Sequence, residues 1–186
     1  LVYAPEFDQY RLYFSCDIEG ALTVTRVATA DHLSDLAWSV TPRAAYEDTD
    51  DVKDPAVIRL DGGYQLYAWD PDRELSHHAE SADGLTFTPI LSGSELLGYP
   101  LGAATPDDEL LVRMSNGLPN PPRYYSFIES ADADQNIVSH TQDSSGQWQA
   151  EAGTRLEHDE DRYVREAAVA RVGNCYVMAY VTPIPA

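Results

Sequence analysis

The chain has 186 residues, 44% of them hydrophobic, and no apolar run approaches the ~20 residues of a membrane span, so it reads as a soluble domain with one core. Its formal net charge is −19, from 31 acidic side chains against 12 basic ones. Such a field repels phosphate backbones and anionic lipid, which excludes nucleic acid and membrane surfaces as expected partners.

Taken in chain order, Val2 to Phe7 and Tyr10-Arg-Leu-Tyr-Phe-Ser15 alternate aromatic and apolar residues with period two, which predicts two strands. A turn at Thr29-Ala30-Asp31 and then Trp38 close this first unit. Pro55-Ala-Val-Ile-Arg-Leu60 and Tyr64-Gln-Leu-Tyr-Ala-Trp69 flank Asp61-Gly62-Gly63, a hairpin signal because glycine supplies the positive φ of a tight turn. Ser81-Ala82-Asp83 and Phe87 complete the second unit. A third runs from Pro100 through Leu110-Leu-Val-Arg-Met114 and Tyr124-Tyr-Ser-Phe-Ile128 to Trp148. Glu166-Ala-Ala-Val-Ala-Arg-Val172 and Asn174-Cys-Tyr-Val-Met-Ala-Tyr180 predict two more strands before Ala186.

The phrase Ser/Thr-Ala-Asp comes three times, at Thr29-Ala30-Asp31, Ser81-Ala82-Asp83 and Ser130-Ala131-Asp132. Its spacing is 82 − 30 = 52 and then 131 − 82 = 49 residues. A period near 50 is that of β-propeller blades, which recur at roughly 40–50 residues. The expected fold is therefore all-β: a single propeller domain over 1–186, with four-stranded antiparallel repeats at about 1–42, 52–90, 97–150 and 163–186. Three and a half blades cannot close a ring, so the chain is expected to be a piece of a longer propeller or to be completed by a second chain.

Function in a propeller sits where the first strands of the blades converge. Three carboxylates are expected at the starts of those strands: Glu6 in Tyr3-Ala-Pro-Glu-Phe7, Asp54 in Lys53-Asp-Pro-Ala56, and Glu166 in Arg165-Glu-Ala-Ala168. Aligning Pro5 with Pro55 puts Glu6 two residues beyond the Asp54 position, and hence on the same strand face. Converging carboxylates suit glycoside hydrolysis, in which one acid protonates the leaving oxygen and another activates water, about 6.5–9.5 Å apart in an inverting enzyme. A third can hold the acid's proton by like-charge repulsion. The third unit carries no acid at the corresponding Gly98-Tyr99-Pro100. Trp69, Tyr99, His78 and Arg165 form the expected substrate-binding set, with Trp69 placed to stack on a sugar face. His77 and His78 are neighbours on a strand, so one ring faces each way.

Cys16 and Cys175 make no metal site, and read as buried thiols or as a disulfide between first and last units. Asp107-Asp108-Glu109 and Glu157-His-Asp-Glu-Asp161 are solvated loops without the spacing of a calcium loop. No metal and no cofactor is expected. Lys53 is the only lysine, a depletion that suits a salt-adapted organism or a GC-rich genome. No signal-peptide pattern opens the sequence, and cytoplasmic and secreted locations both stay open.

Asp54 to Tyr67, Asp-Pro-Ala-Val-Ile-x-x-Asp-Gly-Gly-Tyr-x-Leu-Tyr, resembles the blade opening of the five-bladed propellers of glycoside hydrolase family 43. Lys53-Asp54-Pro55 is similar to the Arg-Asp-Pro element of the related family 32. Tyr3-Ala4-Pro5-Glu6 with Tyr10 to Ser15 is similar to the Trp-Ala-Pro-Glu segment and following strand of family 43, and Ser81-Ala-Asp-Gly-Leu-Thr-Phe87 resembles the outer hairpin of both. The resemblance implies a five-bladed propeller acting on a glycan or small carbohydrate in an axial funnel, with Asp54 as base or transition-state stabiliser, Glu166 as acid and Glu6 in support. The Glu-Gly-Pro element that carries the general acid in family 43 has no counterpart at Gly98-Tyr99-Pro100 or at Arg165 to Ala168. A carbohydrate-binding propeller without hydrolysis, and a biosynthetic enzyme on the same fold, are the alternatives.

Overall fold

The computed structural model describes residues 1–18, 22–72, 75–90, 111–119, 122–129, 136–142, 144, 148–157 and 164–182. Among these residues every regular element is a strand and every strand pairing is antiparallel. No helix of the described residues is long and apolar enough to cross a membrane. The chain divides into two compact units, Leu1–Gly98 and Tyr99–Ala186.

The first unit holds two four-stranded sheets, each in sequential order. Sheet 1 contains β1 (Val2–Ala4), β2 (Gln9–Asp17), β3 (Thr23–Ala30) and β4 (Ser39–Val40). Sheet 2 contains β5 (Lys53–Leu60), β6 (Gly63–Asp70), β7 (Leu75–Ser81) and β8 (Thr88–Pro89). The period-two pattern produces the expected sidedness. Tyr64, Leu66 and Ala68 alternate along β6 and pack in one buried cluster with Tyr13 and Val27 of sheet 1. The link between the sheets joins the same cluster through Ala45, Tyr46 and Val52. It is also bonded to β3, with the Ala45 amide donating to the Thr25 carbonyl at 2.8 Å and the Thr25 amide to Tyr46 at 2.9 Å.

The second unit repeats this plan. β9 (Leu111–Pro119), β10 (Pro122–Glu129), β11 (Ile137–Gln142) and β12 (Trp148–Ala150) form its four-stranded sheet, and β13 (Arg165–Val172) pairs with β14 (Cys175–Val181). The link after β12 is tied as the first one is: the Arg155 amide donates to the Ile137 carbonyl at 2.7 Å, and the Ile137 amide to Leu156 at 2.9 Å. Glu151 opens this link. It receives Arg123 Nε at 2.8 Å and Nη2 at 2.9 Å, together with the Ser139 hydroxyl. Burial pushes the Glu151 carboxyl up, but the Ser139 hydroxyl, Arg123 and Arg155 outweigh it and hold the group below the usual carboxylate range.

Thr29-Ala30-Asp31 and Ser81-Ala82-Asp83 both lead from the third strand of a sheet to the fourth. Ser130-Ala131-Asp132 instead falls between β10 and β11, the second and third strands of its sheet, and lies outside the described residues. The 49-residue step is therefore not a blade step. Ser and Asp favour turns in general, so the phrase is not specific to one connection of a blade. At the second copy the Ser81 hydroxyl accepts the Gly84 amide at 2.8 Å, and Asp83 Oδ1 accepts the Leu85 amide at 2.9 Å.

Glu6 also departs from expectation. Ala4 pairs with Gln9, so Pro5 to Asp8 form the turn after β1, and Glu6 stands at the finish of a first strand rather than its start. The proline alignment fails because Pro5 opens a turn whereas Pro55 lies within a strand. Glu6 binds Arg59 at 3.1 Å and accepts the Tyr64 hydroxyl. Burial alone would push its carboxyl up, but the Tyr64 hydroxyl, its own backbone and Arg59 hold it below its ordinary value.

Two tests follow from this packing. Arg11 is 1% exposed, lies over the Phe7 and Tyr64 rings at 4.8 and 5.3 Å, and donates to the Asp83 carbonyl. Gly84 has φ +68, and a Cβ there would meet the Arg11 guanidinium and, at 2.8 Å, the Tyr13 hydroxyl. Gly84→Ala should cost about 2–4 kcal/mol in urea unfolding, from the left-handed backbone plus the overlap. Gly62→Ala, with nothing within 4 Å of the added carbon, should stay within about 0.5 kcal/mol. The second test concerns Glu6. Its carboxyl releases its proton more readily folded than unfolded, so its contribution is present above the unfolded value and lost as pH falls through the folded one. The melting-temperature gap between wild type and Glu6→Gln should therefore be open at about pH 7 and close towards about pH 3; a gap constant with pH would contradict this.

Candidate functional site

Asp54 and Glu166 occupy the same special position on different sheets. Lys53 pairs with Trp69 and Ala56 with Tyr67, so Asp54 and Pro55 together face the single residue Ala68. Arg165 pairs with Val181 and Ala168 with Ala179, so Glu166 and Ala167 together face Tyr180. Each is a β-bulge at the head of a first strand, and each puts its carboxylate residue in the left-handed region, with φ 54 at Asp54 and φ 54 at Glu166. The position normally belongs to glycine in a bulge of this kind. For a residue with a Cβ it costs about 1–2 kcal/mol, and such conformations concentrate at functional sites.

Both side chains reach solvent. Asp54 is exposed, and its amide donates to the Ser15 hydroxyl on β2 at 2.8 Å. The Glu166 side chain is 51% exposed, and its Oε1 lies 3.9 Å from Arg165 Nε. Glu6 stands away from Asp54: its partner Arg59 is five residues further along β5, a strand distance of about 16 Å.

The other expected residues fall in mixed settings. Trp69 is only 8% exposed, so it does not present the open ring face expected of a sugar platform. Its place among the last residues of β6, buried without alternation from Tyr67 to Asp70, accounts for this. His78 is half-buried and stacks on Tyr67 with ring centres 4.4 Å apart and planes at 8°. Burial pushes its imidazole down to about 4, so it is neutral near pH 7. Arg165 pairs across the head of β13, beside Glu166. Tyr99, like Gly98, Pro100 and the acids Asp107, Asp108 and Glu109 that precede β9 in the chain, lies outside the described residues.

His77 carries a role that no motif in the sequence marks. The ring is 1% exposed, with Nδ1 at 2.8 Å from the Tyr46 hydroxyl and 3.0 Å from Asp48 Oδ2, and Nε2 at 3.2 Å from Asp70 Oδ2. It thereby fastens the link that leads into Asp54 to the middle of sheet 2. The paired His77-His78 was a signal only that one ring would be buried. Cys16 and Cys175 are free thiols, half-buried and exposed respectively, rather than buried or bridged. No group of three metal-binding side chains occurs among the described residues. A cavity of about 520 Å³ opens beside Gly62, Gly63, Glu80, Ser81 and Thr88, at the opposite end of sheet 2 from Asp54.

No family model and no curated protein matches the sequence. Solved structures do match. An endo-arabinase from Bacteroides thetaiotaomicron aligns with 97% of this chain and 68% of its own, at 15% identity and a TM-score of 0.67. An exo-1,5-α-L-arabinanase from a bovine ruminal metagenomic library aligns with 93% of this chain and 64% of its own, at 14% identity and 0.56. A thermostable family-43 glycoside hydrolase aligns with 94% and 65%, at 15% identity and 0.54. The chain thus spans about two thirds of the length of these proteins. At such identities the likeness speaks for the fold: the chain is all-β and supplies about three and a half blades of a five-bladed β-propeller of the glycosidase type.

Proposed function

We propose that this propeller acts on a glycan, cleaving glycosidic bonds in arabinose-containing polysaccharide or oligosaccharide. The observation that carries the reading is the pair of equivalent bulges, each spending backbone strain to place a carboxylate where glycine would sit most easily. Hydrolysis needs two carboxyl groups with different duties. Asp54 is the base or transition-state stabiliser and Glu166 the proton donor to the leaving oxygen. The arabinan-directed activity of the two arabinanases with this fold supports the choice of sugar. Arg165, Tyr99 and His78 remain the proposed contacts to substrate, whereas Glu6 acts as a clamp between β1–β2 and β5–β6.

A second reading is a propeller that binds carbohydrate without cleaving it. The close approach of Arg165 to Glu166 favours it, because a carboxylate beside a guanidinium presents a polar pair to sugar hydroxyls without any proton transfer.

Variants separate the two. Asp54→Asn should lower kcat/KM about a thousandfold on both arabinan and an aryl α-L-arabinofuranoside, a loss typical of a missing base. Stability should hold within about 0.5 kcal/mol, because Asn tolerates the left-handed region as Asp does. Glu166→Gln should lose about a hundredfold or more on arabinan yet keep most activity on an aryl glycoside whose leaving group needs no proton. Equal losses on both substrates would remove Glu166 from the acid role. Calorimetric binding of arabino-oligosaccharide by a wild type that releases no sugar would establish the binding reading instead.

A further inference from the structure

We propose that Ser15 is a positioning residue for Asp54, an inference that rests on the hydrolytic reading above. Asp54 precedes Pro55, and the ring of a proline biases the residue before it towards extended backbone. The left-handed conformation at φ 54 is thus opposed twice, by the Cβ of Asp54 and by the proline that follows. The Ser15 hydroxyl opposes that relaxation, accepting the Asp54 amide at 2.8 Å from the neighbouring sheet.

Ser15 itself sits on a fixed point. It pairs with Thr25 of β3, the residue to which the link is bonded through Ala45 and Tyr46. The residues just before the bulge are fastened to β3 as well: the Val52 amide donates to the Thr23 carbonyl at 3.0 Å, and the Thr23 amide to Asp51 Oδ1 at 2.6 Å. Strands β2 and β3 therefore hold residues 51–54, and the Ser15 side chain reaches the strained residue. Relaxation of Asp54 to extended backbone would turn its carboxylate away from its present direction.

The second bulge supplies the comparison. Glu166 is followed by Ala167, so no proline pushes it towards extended backbone. The register position that matches Ser15 there is Phe127, which pairs with Ile137 as Ser15 pairs with Thr25, and phenylalanine has no hydroxyl. The chain places a hydroxyl at this register position where proline works against the conformation and a phenylalanine where it does not.

Ser15 is exposed, so its loss should alter geometry more than stability. Ser15→Ala should lower kcat on an aryl α-L-arabinofuranoside about tenfold to a hundredfold while KM stays within about twofold, and Ser15→Thr should restore most of it. Hydrogen exchange at the Asp54 amide should speed up by about tenfold or more in Ser15→Ala, with a melting temperature near that of wild type. Adding Pro55→Ala to Ser15→Ala should recover part of kcat. Unchanged kcat, or unchanged exchange at Asp54, would overturn the proposal. If wild type proves inactive the hydrolytic reading fails, and exchange at Asp54 alone then decides whether Ser15 holds the bulge: faster exchange in Ser15→Ala upholds the lock, equal exchange refutes it.

Discussion

A strand sheet with apolar residues on its inner face has to hand that face to another sheet, and the rest of this structure depends on how the hand-over is fastened. In the first unit the link between sheets is itself part of the core. Tyr46 and Val52 are 3% and 0% exposed and pack with Tyr13, Leu66 and Phe87. Burial of side chains of that size contributes about 1.5–3 kcal/mol each. The bridge from Thr25 to Tyr46 then fixes the link's register, as the bridge from Ile137 to Leu156 does in the second unit. The residue that opens the next sheet arrives at a set place because of these bonds, and in both units that sheet opens with a basic residue followed by an acid.

The hand-over in each unit ends at a bulge. Two left-handed carboxylate residues together cost about 2–4 kcal/mol, a sizeable part of the 5–15 kcal/mol net stability of an ordinary domain. Asp visits this region more readily than Glu, so Glu166 is the more unusual of the two. Glycine at either position would relieve the strain. Neither position has it. Asp8 shares the left-handed region at φ 51 but lies in the turn after β1, so it is left-handed backbone at a bulge heading a first strand that sets Asp54 and Glu166 apart. Charge alone could not have made that distinction.

Much of the fold is legible in the sequence because strand periodicity and turn chemistry are local. The Asp61-Gly62-Gly63 hairpin forms where the residues demand it, with Leu60 paired to Gly63 at φ +137. Register between sheets is not local, and there the reading goes astray. Pro5 and Pro55 look alike in sequence yet one opens a turn and the other lies within a bulge, so Glu6 lands at the wrong end of its strand. Ser130-Ala131-Asp132 repeats the phrase between β10 and β11 in the chain, and since Ser and Asp are common wherever a chain reverses, the phrase alone does not mark a blade. Asp54 and Glu166 were legible as acids at strand heads. The left-handed backbone that makes them equivalent was not, since Asp favours it only weakly and Glu hardly at all. His77 was hidden for a related reason: its partners Tyr46 and Asp48 come from the link and Asp70 from the end of β6, two stretches that only the tertiary fold brings together around it.

The central claim is that the two bulge carboxylates, Asp54 and Glu166, mark where a glycan is engaged. Titration of the labelled chain with an arabino-oligosaccharide, followed through its backbone amide resonances, tests this most directly. The largest shifts should fall at Asp54 and Glu166 and their strand neighbours, and should vanish in an Asp54→Ala, Glu166→Ala double variant that retains the wild-type melting temperature. Shifts confined to the cavity beside Gly63 and Thr88, or a response that survives in the double variant, would contradict it.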